Sequence, residues 1–296
     1  MLQYKSVTLE DKEWIAACMK AANLRGSEFT FANLFDWREI YDFKIARFED
    51  MLIIKSGRND TDFMYPVGGG DVSKAISALM QEAKELGGEF SMYGIPASAV
   101  EAVSQQLGED YEILPVRDNF DYIYNRESLA TLAGKKLHAK RNHLNNFIAA
   151  NPDWSLEPIT EENIGQAWEM NLQWCAAQEC VSHSLRNEGC AVESAFKNFF
   201  ELGLRGAMLK AGGRIVAYTI GSAVTDDTFV VHIEKAFADV QGAYPMINRE
   251  FVRSLPENYI YINREDDVGD LGLRKAKESY RPAMMYERYI ARKKNG

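Results

Sequence analysis

No stretch of the 296-residue chain holds the ~18–20 consecutive apolar residues needed to cross a bilayer. Glu10 and Asp11 sit where a secretion signal would need its apolar core. A cytoplasmic location is therefore expected. Cysteine is scarce too: four residues and no CxxC pair. Without a secretory signal, an even count does not imply disulfides. Cys175, Cys180, His183 and Cys190 do cluster, but structural zinc sites want two closely spaced ligand pairs. No metal is expected, and these thiols read as buried or half-buried. The chain also lacks a general positive charge. At net −9 it is not a nucleic-acid coat, although a local basic segment can still dock one polyanion.

That segment is 129–150, LATLAGKKLHAKRNHLNNFIAA, which contains no acid at all. Ala133, Leu137, Leu144, Phe147 and Ile148 mark a helical stripe, and Asn151-Pro152 ends it. The polyanion candidates are Lys135, Lys136, Lys140 and Arg141, which would offer tRNA a basic face over 132–149. A solvated connector face is the bland alternative. The chain is long for one core, so we expect two domains, 1–127 and 128–296, with the basic helix opening the second.

The apolar pattern gives both halves a similar order of elements. In the first, an amphipathic helix over 7–24 precedes a hairpin, Lys44–Phe48 with Met51–Lys55. A strand at Phe63–Val67 then enters Gly68-Gly69-Gly70-Asp71 and a helix, Val72–Leu86. Strand, glycine loop and helix can cradle a phosphate, but Asp71 would repel an anion, and a tight turn is the plainer reading. In the second half, helices over 162–180 and 192–204 precede a two-glycine hairpin at Gly212-Gly213. A long strand Thr228–Phe237, a helix Pro245–Leu255, a strand Tyr259–Asn263, a short basic helix and a last strand Met284–Ala291 complete it.

This order resembles the GNAT-type N-acyltransferase fold, present twice: an α/β chain of two tandem GNAT-like domains with mixed central sheets. GKKLHAKRNHLNNF, FVVHIEKAF, GAYPMINREF and INREDDVGDLGLRKAKESYRP further resemble the phosphatidylglycerol lysyltransferase C-terminal-domain-like family, relatives of the Fem-type peptidyl transferases. The resemblance implies acyl or aminoacyl transfer from an aminoacyl-tRNA or acyl-CoA donor. The acceptor it implies is a small molecule, a lipid headgroup or a peptide-like amine; the missing transmembrane half of the lipid-modifying relatives argues against a lipid. Acetyl-CoA enzymes of this fold carry R/Q-x-x-G-x-G/A before the long helix. Counting from Gly242 gives Asp239 and Tyr244 at the first and last positions, which disfavours a pyrophosphate.

Acyl transfer needs a base, donors for the developing oxyanion and charge to hold the donor substrate. Strict alternation along Thr228–Phe237 puts Val230, His232 and Glu234 on one side, opposite Lys235. His232 or Glu234 is the expected base. In the lysyltransferases an acid and, three positions on, a basic residue occupy this strand, and His232 and Lys235 stand there here. Tyr280 resembles the tyrosine that protonates the leaving group in many GNAT enzymes. Arg264, Arg274, Lys275, Lys277 and Arg281 are the expected phosphate contacts. Lys235, Gly242, Tyr244 and Asn263 are further expected substrate-binding positions. Quieter roles stand beside these: a satisfied strand histidine, a Glu234 ion pair and a core Tyr280. The reading requires the parallel strands near the carboxyl end to part without being sealed by apolar packing. A CoA-dependent acyltransferase using the Gly68–Gly70 loop, and a binding module without chemistry, are the rivals.

Overall fold

The computed structural model describes residues 2–177 and 183–294. It forms two compact α/β units, one of Met1–Asp121, Asp266–Gly269 and Met285–Gly296, the other of Tyr122–Glu265 and Asp270–Met284. The fold is that of two tandem GNAT-like domains. Their division departs from the expected 1–127 and 128–296, because the chain returns to the first unit near its end. The physical cause is strand pairing. The stretch read as one last strand is two, Met284–Tyr286 and Arg288–Lys293. The second of these lies between Ser91–Pro96 and Tyr111–Pro115 in the first sheet, antiparallel to both.

The first unit starts from a hairpin, Phe43–Phe48 with Met51–Ser56. Asp62–Met64 and Ser91–Pro96 then run parallel, joined by helix Val72–Glu85. Ala75, Ile76, Leu79 and Ala83 recur at helical spacing, and each is nearly or wholly buried against Ile53, Phe63, Met92 and Ile95. Asp71 caps this helix, its carboxylate accepting from Lys74 N. The loop before it is no phosphate cradle. Gly69 N already donates to Asp50 O at 3.2 Å, and Gly70 N lies 3.2 Å from Met51 Sδ. Amides spent on the protein's own acceptors leave little for a pyrophosphate.

In the second sheet the order is Met284–Tyr286, Asp121–Asn125, Tyr261–Asn263, Thr228–Ala236, Arg214–Ala223, Arg205–Ala211, Ser155–Pro158. The expected hairpin turns at Gly212 (φ 58°) and Gly213 (φ 74°), the paired left-handed residues that match strand twist. Helix Ala243–Ser254 follows the long central strand and buries Met246, Ile247, Phe251 and Val252. Helices Ile164–Ala177 and His183–Lys197 also belong to this unit. The basic segment is a short turn, Lys135–Leu137, continuing into helix His138–Ala150. Leu137, Leu144 and Phe147 are buried as the stripe requires, while Ala133 is exposed. No helix among the described residues is long and apolar enough to cross a membrane.

Candidate active site

Strands Thr228–Ala236 and Tyr261–Asn263 run parallel and in register at three positions: Thr228 with Tyr261, Phe229 with Ile262, and Val230 with Asn263. Past Val230 the first strand continues to Ala236, while the second ends at Asn263. Where their pairing stops, the consecutive residues Arg264 and Glu265 each reach across to the longer strand. Arg264 Nη2 donates to Glu234 Oε1 at 2.7 Å, and His232 Nδ1 lies 2.8 Å from Glu265 Oε1.

Register explains why these side chains meet. In the ladder with Arg214–Ala223, Gly221 pairs with Val231 but Ile220 pairs with Ile233. His232 is thus the extra residue of a one-residue bulge, a device that re-aims a side chain. The bulge overturns the expected alternation, because it shifts every later residue to the other face. Phe229 and Glu234 both reach helix Ala243–Ser254, one by its ring 5.8 Å from that of Phe251, the other by accepting from Asn248 Nδ2 at 2.9 Å. Five residues apart, they would point oppositely on an unbroken strand.

His232 is held at both nitrogens. Its Nε2 lies 2.8 Å from Ser222 Oγ. An ionised Glu265 can only accept, so Nδ1–H donates to it and the Nε2 lone pair is left to accept from the serine hydroxyl. Glu265 is itself fixed by its backbone, which sits at φ 57°. Its N–H donates to Asn263 Oδ1 at 2.7 Å and its carbonyl accepts from Tyr122 N at 3.1 Å. A left-handed non-glycine residue costs about 1–3 kcal/mol and persists where its surroundings enforce it.

The Glu234–Arg264 pair lies deeper. The side chains are 8% and 12% exposed, and the guanidinium carbon stands 4.8 Å from the Tyr280 ring centroid and 5.7 Å from that of Tyr124. Burial pushes the Tyr280 hydroxyl up to about 12, with Arg264 opposing the rise. It is thus protonated and able to donate at neutral pH, in a buried setting. Two buried atoms flanking Glu234, Arg264 Nη1 and Asn248 Oδ1, have no hydrogen-bond partner.

The remaining expected site residues divide. Lys140 joins this cluster, its ammonium 4.2 Å over the Tyr280 ring; burial, then the Arg264 charge, lower its pKa. Lys277 Nζ donates to the Arg264 carbonyl at 2.6 Å, and Tyr124 donates to the Lys277 carbonyl at 2.7 Å. Asn263 is fully buried and orients Glu265. Lys235 points elsewhere, paired with Glu188 and 4.1 Å over the Trp174 ring. Tyr244 reaches Ala236 and Trp174, and burial raises its pKa. Gly242 serves packing: at φ 85° a Cβ would overlap the His143 carbonyl and fall 2.9 Å from Phe147 Cβ. Arg274 is half-buried, while Lys275 and Arg281 are exposed. Arg141 spends its guanidinium on the Leu132 and Gly134 carbonyls, which leaves Lys135 and Lys136 as the exposed basic pair. Ser222, Asn248 and Tyr124 were not foreseen. Ser222 lies ten residues from His232 across a hairpin and pairs with Val230, two residues before it.

The loop before helix Ala243–Ser254 suits CoA poorly. Val240 N and Ala243 N already donate to Phe237 O and Val240 O, and Asp239 pairs with Arg214 at 3.1 Å. Among the described residues no cluster of His, Cys, Asp or Glu could hold a metal. Cys180 and the His183 side chain lie outside the described residues.

Comparison with known proteins places the fold and the family. A crystal structure from Bacteroides thetaiotaomicron VPI-5482, described as a conserved protein of unknown function, is 40% identical, covers 99% of this chain and 100% of its own, and superposes with a TM-score of 0.94. L-PGS from Bacillus licheniformis shares the fold at 15% identity, covering 97% of this chain and 93% of its own with a TM-score of 0.65. The uncharacterized protein MYCGA3080 of Mycoplasmoides gallisepticum is 25% identical over 187 residues, which are 62% of this chain and 59% of that relative's length. The profile described as "Phosphatidylglycerol lysyltransferase, C-terminal" matches residues 20–292, and the chain belongs to that family of transferases.

Proposed function

We propose that this chain transfers an aminoacyl group from an aminoacyl-tRNA to an amine or hydroxyl acceptor, a small molecule or a peptide-like amine, with His232 as the base. The observation that carries the reading is the unmatched pair beside Glu234. Arg264 Nη1 is a buried donor and Asn248 Oδ1 a buried acceptor, both without partners. An aminoacyl group brings the complement of each: a carbonyl oxygen to accept and an α-ammonium to donate. A plain acetyl group brings only the first. Leaving such atoms unpaired costs about 1–3 kcal/mol each, free energy that a matching substrate recovers on binding.

His232, polarised through Glu265, takes the proton of the attacking group. Arg264 holds the carbonyl, and Tyr280 donates a hydrogen bond to the leaving oxygen. The exposed Lys135 and Lys136 supply charge for the tRNA backbone.

Single-turnover transfer from a set of aminoacyl-tRNAs to hydroxylamine, a small generic nucleophile, tests the reading. His232→Ala should slow transfer by about 10²–10⁴-fold, and Glu234→Ala should lose donor selectivity as well as rate. CoA should leave the melting temperature unchanged. Unaltered transfer in both variants, or stabilisation by CoA alone, would sink it.

A further inference from the structure

Ser222, His232 and Glu265 form a directional relay. The hydroxyl lies 2.8 Å from Nε2, and Nδ1 lies 2.8 Å from the carboxylate. A nucleophile bonded to a base that is oriented by an acid is the arrangement that activates serine for covalent catalysis, recognised by geometry rather than by sequence order. We propose that Ser222 is a nucleophile: the acyl group passes through a Ser222 ester before the acceptor takes it, and water can replace the acceptor, giving a slow acyl-ester hydrolysis. This deepens the transferase reading and rests on it.

Three features favour a nucleophile over a serine that merely satisfies a strand histidine. A neutral imidazole needs an acceptor for its N–H and a donor for its lone pair, and here the acceptor is a carboxylate, the group that orients the base of a nucleophilic triad. That carboxylate is held by a left-handed backbone at Glu265, a strained conformation of the kind that clusters at active sites. His232 is also the bulged residue of its ladder, and bulges recur beside active sites because they re-aim side chains. Gly221 makes the bulge possible, since a Cβ there would overlap the Val230 carbonyl. Ser222 itself is buried, 8% exposed, and the trio reaches solvent through the Glu265 side chain, 26% exposed.

The step balances without a co-reactant. Ser222 Oγ attacks the donor's acyl carbon as its proton passes to His232 Nε2. The new Oγ–C bond forms, the bond from the acyl carbon to the donor's ester oxygen breaks, and that oxygen leaves with the proton. An amine, hydroxyl or water then attacks the Ser222 ester, gives its proton to His232, and Ser222 recovers it as the second ester breaks.

The experiment uses the full chain with p-nitrophenyl acetate, followed by intact mass and peptide mapping. The expected result is a burst of nitrophenolate and one acetyl group on the peptide holding Ser222. Ser222→Ala should abolish both, and Glu265→Gln should slow the burst by roughly 10²–10⁴-fold. Ser222→Cys, which keeps a nucleophile, should restore a burst that iodoacetamide removes. Acetylation only elsewhere, or a burst that survives Ser222→Ala, overturns the proposal. The transferase reading fails separately. If Ser222→Ala transfers from aminoacyl-tRNA at the wild-type single-turnover rate and His232→Ala does not, the covalent step falls and transfer stands. If the wild type forms the Ser222 ester but transfers to no acceptor, the nucleophile stands and the transferase reading falls.

Discussion

Arg264 binds Glu234 at 2.7 Å beneath two tyrosine rings, with both charged side chains almost shut off from water. Burial pulls the guanidinium's pKa down, and the Glu234 carboxylate and the tyrosine rings more than reverse it. The guanidinium therefore stays charged, and the cost of burying either partner alone is large. Arg264→Met should destabilise the second unit by about 3–5 kcal/mol, because Glu234 is left buried and unpaired. The double variant Glu234→Leu/Arg264→Met should recover most of that loss while losing transfer. Urea titration of the two variants checks it; equal instability of single and double would show that the charges are not coupled.

Gly242 has the opposite character, being needed for space. At φ 85°, with the His143 carbonyl against the position of a Cβ, Gly242→Ala should cost about 2–4 kcal/mol, combining left-handed strain with displacement of helix His138–Ala150. Thermal unfolding should register the loss. Retained stability with lost transfer would return Gly242 to the substrate-binding role that its place in the loop first suggested.

Most of the architecture was legible because it rests on periodicity. The helix Val72–Glu85 and the hairpin at Gly212-Gly213 follow from apolar spacing and turn chemistry. What stayed hidden depends on register. Nothing in FVVHIEKAF announces that His232 is a bulge, so the faces assigned to Glu234 and its neighbours came out reversed. The three acids after Arg264 were visible, but not that they diverge: Glu265 meets His232, Asp266 faces Arg288 and Asp267 faces Arg117. The final strand read as one because Met284–Tyr286 and Arg288–Lys293 are separated by a single residue. Pairing partners, not local pattern, assign them to different sheets.

In the first unit Arg288 is shared by three carboxylates, those of Glu28, Asp121 and Asp266. Burial lifts the Glu28 carboxyl to about 7, with Arg288 opposing the rise and Asp121 adding to it. A carboxyl whose folded pKa exceeds its unfolded value binds its proton more tightly when folded. Stability from this group is thus present below pH ~4.5 and is lost as pH climbs to about 7, by an amount on the order of 3 kcal/mol. Glu28→Gln should flatten that decline, making the variant more stable than wild type above pH 7 and no better below pH 4. Urea midpoints across this range decide it; parallel curves would place the ionisation elsewhere.

The basic segment separates into parts that a charge reversal can tell apart. Lys135 and Lys136 are exposed, whereas Lys140 lies over Tyr280 and Arg141 holds the Leu132 and Gly134 carbonyls. Each phosphate neutralised releases condensed counterions, so binding weakens steeply with salt. Lys135→Glu/Lys136→Glu should weaken tRNA binding at low salt, lower the slope of log K against log salt by about 2, and leave the melting temperature within a degree or so. Lys140→Glu/Arg141→Glu should instead lower the melting temperature, because an acid facing the Tyr280 ring and two uncapped carbonyls are both unfavourable. If the first pair leaves the salt slope unchanged, the acid-free stretch is a solvated connector and the donor is not held there.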